Sequence, residues 1–147
     1  MRATQQVRYA IYGVFDLAYH GGTRPVPLAE VGKRQAIPAR YLEQIFQKLR
    51  RAGLVASKRG PGGGYQLARR PEAIDLSDVV RAVQGRVLSL AAAPDKADCD
   101  KCPEFVWDLL RADLERALEL HSIADLCREA AARGIPRAAL DPASYEI

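Results

Sequence analysis

Apolar residues recur early in the chain at Val7, Ala10, Ile11, Val14, Phe15 and Ala18. Steps of three and four place them on one side of a helix. Thr4 stands where a cap belongs, and the helix is expected to reach about Tyr19. His20-Gly21-Gly22 then ends it, with glycine free to turn left-handed. Arg24 to Val26 reads as extended, because residues ahead of Pro25 and Pro27 are pushed out of the helical region. Pro27 opens a short helix through Leu28, Val31 and Arg34. Ile37-Pro38 starts a third. In it Leu42, Ile45, Phe46 and Leu49 form an apolar stripe, and Arg40, Gln44, Gln47 and Arg51 fall opposite. Glu43 and Lys48 lie at the borders of that polar face, and Gly53 stops the helix.

The period then changes. Leu54 to Lys58 and Tyr65 to Ala68 read as two strands of a hairpin, joined by the glycine-rich turn Arg59 to Gly64. Leu76 to Val83 forms a short helix capped by Asp75, with Gly85 behind it. Ala91 to Cys102 is polar and irregular. Pro103 opens a long helix predicted to continue to Cys127. Trp107, Leu110, Leu114, Ala117, Leu118 and His121 line one side of it, and Val106, Leu109 and Leu120 widen that side. So wide an apolar band has too little partner surface in a chain this short, which predicts a dimerisation helix. From Ile135 onward the pattern is lost and a loose tail is expected. The fold class predicted is mainly α with a small β-hairpin wing. It is a winged helix-turn-helix (1–86), a cysteine-bearing linker (87–102), a dimerisation helix (103–130) and a tail (131–147).

Of 147 residues, 48% are hydrophobic, enough for a real core. Arg2, Arg8 and Asp16 interrupt the N-terminal apolar pattern, so no signal peptide is read there. No segment approaches the roughly 20 apolar residues of a membrane span. A cytoplasmic protein without a membrane partner is expected. Net charge is only +4, but it is unevenly placed. Between Pro38 and Arg70 eight basic residues face one acid, Glu43, whereas from Asp95 to Ile147 twelve acids outnumber seven bases. A basic first half points to a polyanion, and the acidic half to a different task.

Two short helices followed by a basic amphipathic one is the layout that offers its third helix to the DNA major groove. Arg40 suits the O6 and N7 of guanine, Gln44 suits adenine, and Glu43 can accept from cytosine. Tyr41 suits a phosphate or a thymine methyl, with Gln47 further along the same face. Lys48, Arg50 and Arg51 suit phosphates, which set register rather than sequence. In the wing, Lys58 and Arg59 precede Gly60, Pro61 and Gly62. The glycines let backbone approach the sugar-phosphate rails, and Arg59 can enter a narrow minor groove. A nucleotide phosphate loop is excluded: no Gly-Lys-Ser/Thr follows, and the next element is a strand. A solvated charged helix on any small domain would show the same polar face; the adjoining hairpin weighs against it.

Tyr41 to Gly53 and Arg59 to Tyr65 resemble the signature of the Rrf-type bacterial regulators, the family of IscR, NsrR and CymR. Met1-Arg-Ala-Thr4, Arg8-Tyr-Ala10 and Val26-Pro-Leu-Ala-Glu30 resemble it too. The likeness runs from Met1 to about Leu126. It implies a homodimeric transcription factor, usually a repressor, on double-stranded DNA with a pseudo-palindromic operator. It also implies DNA contacts by Arg40, Tyr41, Glu43, Gln44 and Arg59, and leaves room for a second regulatory protein as partner. Cluster-binding members carry three linker cysteines around a [2Fe–2S] cluster, whose fourth ligand is in one branch a histidine three residues after the last. Here only Cys99 and Cys102 fall in that window, and the residue three beyond Cys102 is Phe105.

Four readings of Cys99 and Cys102 stay open: a cluster completed by other groups, a thiol/disulfide switch, zinc shared between subunits, and inert cysteines. Cys127 would sit roughly 35 Å from that pair along one continuous helix, so it could meet only a partner's pair. Alone it reads as packing. His20 and His121 read as structural, and Trp107 as a core or interface anchor. The function expected is sequence-specific transcription regulation, with redox or iron–sulfur sensing at Cys99 and Cys102. One alternative is a cofactor-free regulator answering a small molecule or partner protein. Others are a winged helix used for protein contacts and a thiol redox or metal-handling protein. No enzyme is expected, since no nucleophile–base pair stands out.

Overall fold

A computed structural model describes residues 2–85 and 102–138. Cys99, the rest of the expected linker ahead of Cys102, and residues 139–147 lie outside the described residues. The described elements are α1 (Ala3–Asp16), a π-helical turn (Leu17–Gly21), α2 (Leu28–Gln35), α3 (Ala39–Arg51), β1 (Val55–Lys58), β2 (Gly64–Leu67), α4 (Leu76–Gln84), α5 (Phe105–Glu119) and α6 (Ile123–Ala132).

The helical stripes meet as their spacing requires. Ala10 and Val14 from α1, Leu17 from the turn after it, Val31 from α2, and Leu42, Ile45, Phe46 and Leu49 from α3 form one buried cluster with Val79 and Val83 of α4. Fully burying side chains of this size contributes about 1.5–3 kcal/mol each. Gly13 makes room for the Phe46 ring, since a Cβ there would lie 2.7 Å from its Cε2.

β1 and β2 pair antiparallel, Val55 opposite Leu67 and Lys58 opposite Gly64. The extended stretch at Val26 joins them. Its N–H donates to the Tyr65 carbonyl at 2.7 Å, and the Tyr65 N–H donates back at 2.8 Å. Backbone approaches so closely here that a Cβ on Gly64 would sit 2.3 Å from the Val26 carbonyl. Asp75 caps α4 as expected, in a reciprocal box with Asp78.

The long helix expected from Pro103 to Cys127 is two helices. α5 ends at Glu119, and Ser122 caps α6: its hydroxyl accepts the Asp125 N–H at 3.0 Å, and Asp125 accepts the Ser122 N–H at 2.9 Å. The break is fixed by a strand-like contact with the start of α4. The Leu76 N–H donates to the His121 carbonyl, and the Ile123 N–H donates to the Ile74 carbonyl. Ile123 is thereby buried in the main core, and half-buried Cys127 packs against it. The 35 Å rod that separated Cys127 from the earlier pair does not exist. The first described residues of the tail are docked rather than loose. The Tyr19 hydroxyl donates to the Ile135 carbonyl, the Ala138 N–H donates to His20 Nδ1 at 2.8 Å, and the Arg137 guanidinium lies 4.7 Å from the Tyr19 ring centre. Among the described residues no helix is long and apolar enough to cross a membrane.

Candidate nucleic-acid interface

α2 and α3 are joined by the tight turn of a helix-turn-helix. Ala36 ends α2 in the left-handed conformation at φ 54°, and the Ile37 N–H reaches back to the Gly32 carbonyl at 3.0 Å. Gly32 faces that turn directly: a Cβ on it would lie 2.8 Å from the Ile37 carbonyl oxygen. α2 is tied to α1 through Asp16, which is completely buried. Its carboxylate accepts from Arg34 Nη2 at 2.7 Å, Arg34 Nε at 3.0 Å and Gln35 Nε2 at 2.9 Å. The bond to Asp16 raises the Arg34 pKa further above its ordinary value. A buried carboxylate with this many charge-assisted donors fixes the angle at which α2 delivers the turn.

With one face of α3 in the core, the other is left to solvent. Arg40, Glu43, Gln44, Gln47, Arg50 and Arg51 are exposed, and Tyr41 is half-buried. Lys48 departs from the expectation that it serves a phosphate. It is half-buried, and its ammonium donates to Gln6 Oε1 of α1 at 3.2 Å and to the Val83 carbonyl of α4 at 3.4 Å. It pins the helix instead of facing outward. Arg40 lies 4.6 Å from the Tyr41 ring centre and donates to its hydroxyl at 2.9 Å. Behind α3, the Phe46 ring meets the Tyr65 ring edge-on at 5.0 Å, which couples the helix to the wing. The wing carries Lys58, Arg59, Gly60, Pro61 and Gly62, all exposed, with Gly60 at φ 95° and Gly62 at φ 71°. Arg50 bridges the two parts through Ser57 Oγ at 3.4 Å. Sequence reasoning missed Asp16 and Arg34, whose pairing has no periodic signal, and Tyr9, whose ring stacks on Tyr41 at 6.0 Å.

Of the expected metal ligands, Cys102 and Cys127 lie among the described residues and Cys99 does not. Cys102 is exposed and disulfide-bonded. Burial pushes the Cys127 thiol up, against the thiolate that a metal requires. Phe105 carries no donor, and no three His, Cys, Asp or Glu side chains converge as a metal group among the described residues. Among the described residues alone, no four-ligand set is complete. His20 is structural: its side chain is 7% exposed and its Nδ1 is occupied by the Ala138 N–H. His121 and Trp107 are exposed, so neither is a core residue in the single chain.

Helix, turn, exposed basic helix and basic wing together define the winged helix-turn-helix class. Comparison with known proteins narrows it. The Rrf2 family model, described as iron-dependent transcriptional regulator, matches residues 3–129, and the chain belongs to that family. A regulator from Vibrio cholerae named HTH-type transcriptional regulator IscR is 48% identical over 114 residues, covering 78% of this chain and 65% of that protein. Its counterpart in Aliivibrio salmonicida is 51% identical over 87 residues, covering 59% and 52%. The chain thus spans about half to two thirds of the length of these two relatives, both named transcriptional regulators. The solved structure of T. potens IscR is 33% identical with a TM-score of 0.74, covering 94% of each chain. CymR, the global cysteine regulator of B. subtilis, is 28% identical with a TM-score of 0.68, covering 88% of this chain and 98% of its own.

Proposed function

We propose that the chain is a cytoplasmic, homodimeric transcription regulator, acting as a repressor, that grips duplex DNA in two adjacent grooves. The carrying observation is that Arg40, Glu43, Gln44, Gln47 and Arg51 on α3 and Lys58–Gly62 at the wing tip are all exposed, with Arg50 bonded to Ser57 between them. The N-terminal half of α3 enters the major groove, with Arg40, Glu43 and Gln44 on base edges. Arg50 and Arg51 take phosphates, and Arg59 enters the neighbouring minor groove.

The dimer part of this reading is supported by α5, which buries none of its residues in the single chain. Phe105 is 66% exposed, Leu109 57% and Trp107 41%. A second copy covering that face gives two-fold symmetry, hence a pseudo-palindromic operator with half-sites one helical turn, or a multiple, apart. For sensing, exposed and disulfide-bonded Cys102 supports a thiol/disulfide response of the Cys99/Cys102 pair over a metal cluster.

The test is binding of the chain to random-sequence duplex across a salt series, followed by selection of preferred sites. Affinity should fall linearly in log–log form with salt, and the enriched sites should be two-fold symmetric. A salt-insensitive affinity, or Arg40→Ala and Arg59→Ala binding like the parent, defeats the reading. Trp107→Glu should convert a dimer to a monomer in sedimentation equilibrium. Iron and sulfide analysis after anaerobic purification separates the sensor chemistries. Iron-free protein whose DNA affinity changes on thiol oxidation supports the switch, and bound iron with visible absorption overturns it.

A further inference from the structure

We propose that Tyr9 and Tyr41 are positioning residues that hold the Arg40 guanidinium ready to read one base pair. This rests on the DNA-binding reading above and deepens it.

Arg40 sits in the first turn of α3, which contains no acidic residue. The positive end of the helix dipole lies there, so a cation is disfavoured. Arg40 is also exposed and contributes nothing to the core. Stability therefore gives no reason for a guanidinium in this place, yet its position is fixed. It stacks 4.6 Å from the Tyr41 ring centre, and Nη2 donates to the Tyr41 hydroxyl at 2.9 Å. One of five N–H groups is spent on that bond, which leaves enough for a two-pronged contact with guanine O6 and N7.

The platform beneath is itself anchored. Tyr41 is half-buried, and its ring lies 6.0 Å from that of Tyr9, inclined by 26°. Tyr9 packs on the main core, and its hydroxyl accepts from Gln5 Nε2 at 2.9 Å. A line of contacts thus runs from α1 through two rings to the exposed fork. An unsupported arginine must surrender its rotamer freedom when it docks; this one has already surrendered it. Tyr9 touches no base in this scheme and acts through Tyr41.

The experiment is site selection from a random duplex library with the parent chain, Arg40→Ala, Tyr9→Leu, Tyr9→Phe and Tyr41→Phe, each checked for thermal stability. Arg40→Ala identifies the base pair that Arg40 reads. Tyr9→Leu should weaken preference at that same pair by about two- to fivefold, the worth of the aromatic contact that steadies Tyr41, with random-duplex affinity held within about twofold. Tyr9→Phe keeps the ring and should keep the preference. Tyr41→Phe frees the bonded N–H and should weaken it without altering the melting temperature. Unchanged preference in Tyr9→Leu overturns the proposal. So does a loss spread evenly over all positions, which marks a misplaced helix, and so does an Arg40→Ala variant that relaxes no pair. A parent chain that enriches no sequence defeats the DNA-binding reading itself, and this proposal with it.

Discussion

Arg34 of α2 closes a two-pronged contact on the buried carboxylate of Asp16 in α1, with Nη2 2.7 Å from Oδ1 and Nε 3.0 Å from Oδ2. The pair is asymmetric, because Asp16 is wholly enclosed while the Arg34 side chain is 23% exposed and also reaches Glu30. Removing the arginine therefore strands a buried charge. Arg34→Met should lower stability by about 3 kcal/mol, within the range for breaking a buried pair from one side. Asp16→Ala should cost less, since Arg34 keeps Glu30 and water. Urea denaturation of both variants checks the order, and equal losses would contradict it.

Lys48 and Arg51 are one helical turn apart and should behave oppositely. Arg51→Met should leave stability within about 0.5 kcal/mol, as exposed substitutions do. It should flatten the salt dependence of DNA binding by about 0.9 in the log–log slope, one phosphate contact. Lys48→Met should leave that slope alone and destabilise the fold by about 1 kcal/mol, because it breaks the bonds to Gln6 and Val83. A slope change in Lys48→Met would return that residue to the DNA face.

His20 gives the fold a dependence on mild acid. Burial holds its pKa below the ordinary 6.5, with Arg34 and Arg137 adding to the shift and Asp16 opposing it. The acceptor role of Nδ1 toward the Ala138 N–H agrees with a neutral ring. Below 6.5 the unfolded chain takes up the proton first. The stability contribution is thus complete above that value and is lost as pH falls toward the folded pKa. Melting temperatures between pH 7.5 and 5.5 should drop more steeply in the parent than in His20→Gln. Parallel profiles would show that this ring does not titrate with unfolding.

Ala36 occupies a left-handed position where glycine carries no penalty. Ala36→Gly should raise stability by about 1 kcal/mol or less, the left-handed strain relieved minus the extra freedom glycine brings to the unfolded chain. A lower melting temperature would mean the alanine methyl makes a contact of greater worth.

The exposed face of α3 and the wing turn were legible because they depend on local rules. The spacing of Leu42, Ile45, Phe46 and Leu49 buries one side of α3 and leaves Arg40, Gln44 and Arg51 outside, and the glycines after Arg59 admit only a turn. Where Lys48 turns was not legible, because it lies at the border of the two faces. Which side claims it is decided by Gln6 and Val83, 42 and 35 positions away. The break before α6 left a local trace, the Ser122-to-Asp125 capping pattern, but the apolar spacing runs through it without interruption. Pairing with Ile74 and Leu76 decides the matter, and no window of neighbouring residues contains that information. The Asp16–Arg34 pair and the docking of Ile135–Ala138 are likewise properties of the assembled core.

The backbone bonds joining residues 74–76 to 121–123 act as a rivet between the α5–α6 junction and the start of α4. α4 in turn holds Lys48 through the Val83 carbonyl. The α5–α6 junction therefore has a bonded route to α3 that passes through α4 and Lys48 rather than through slack chain.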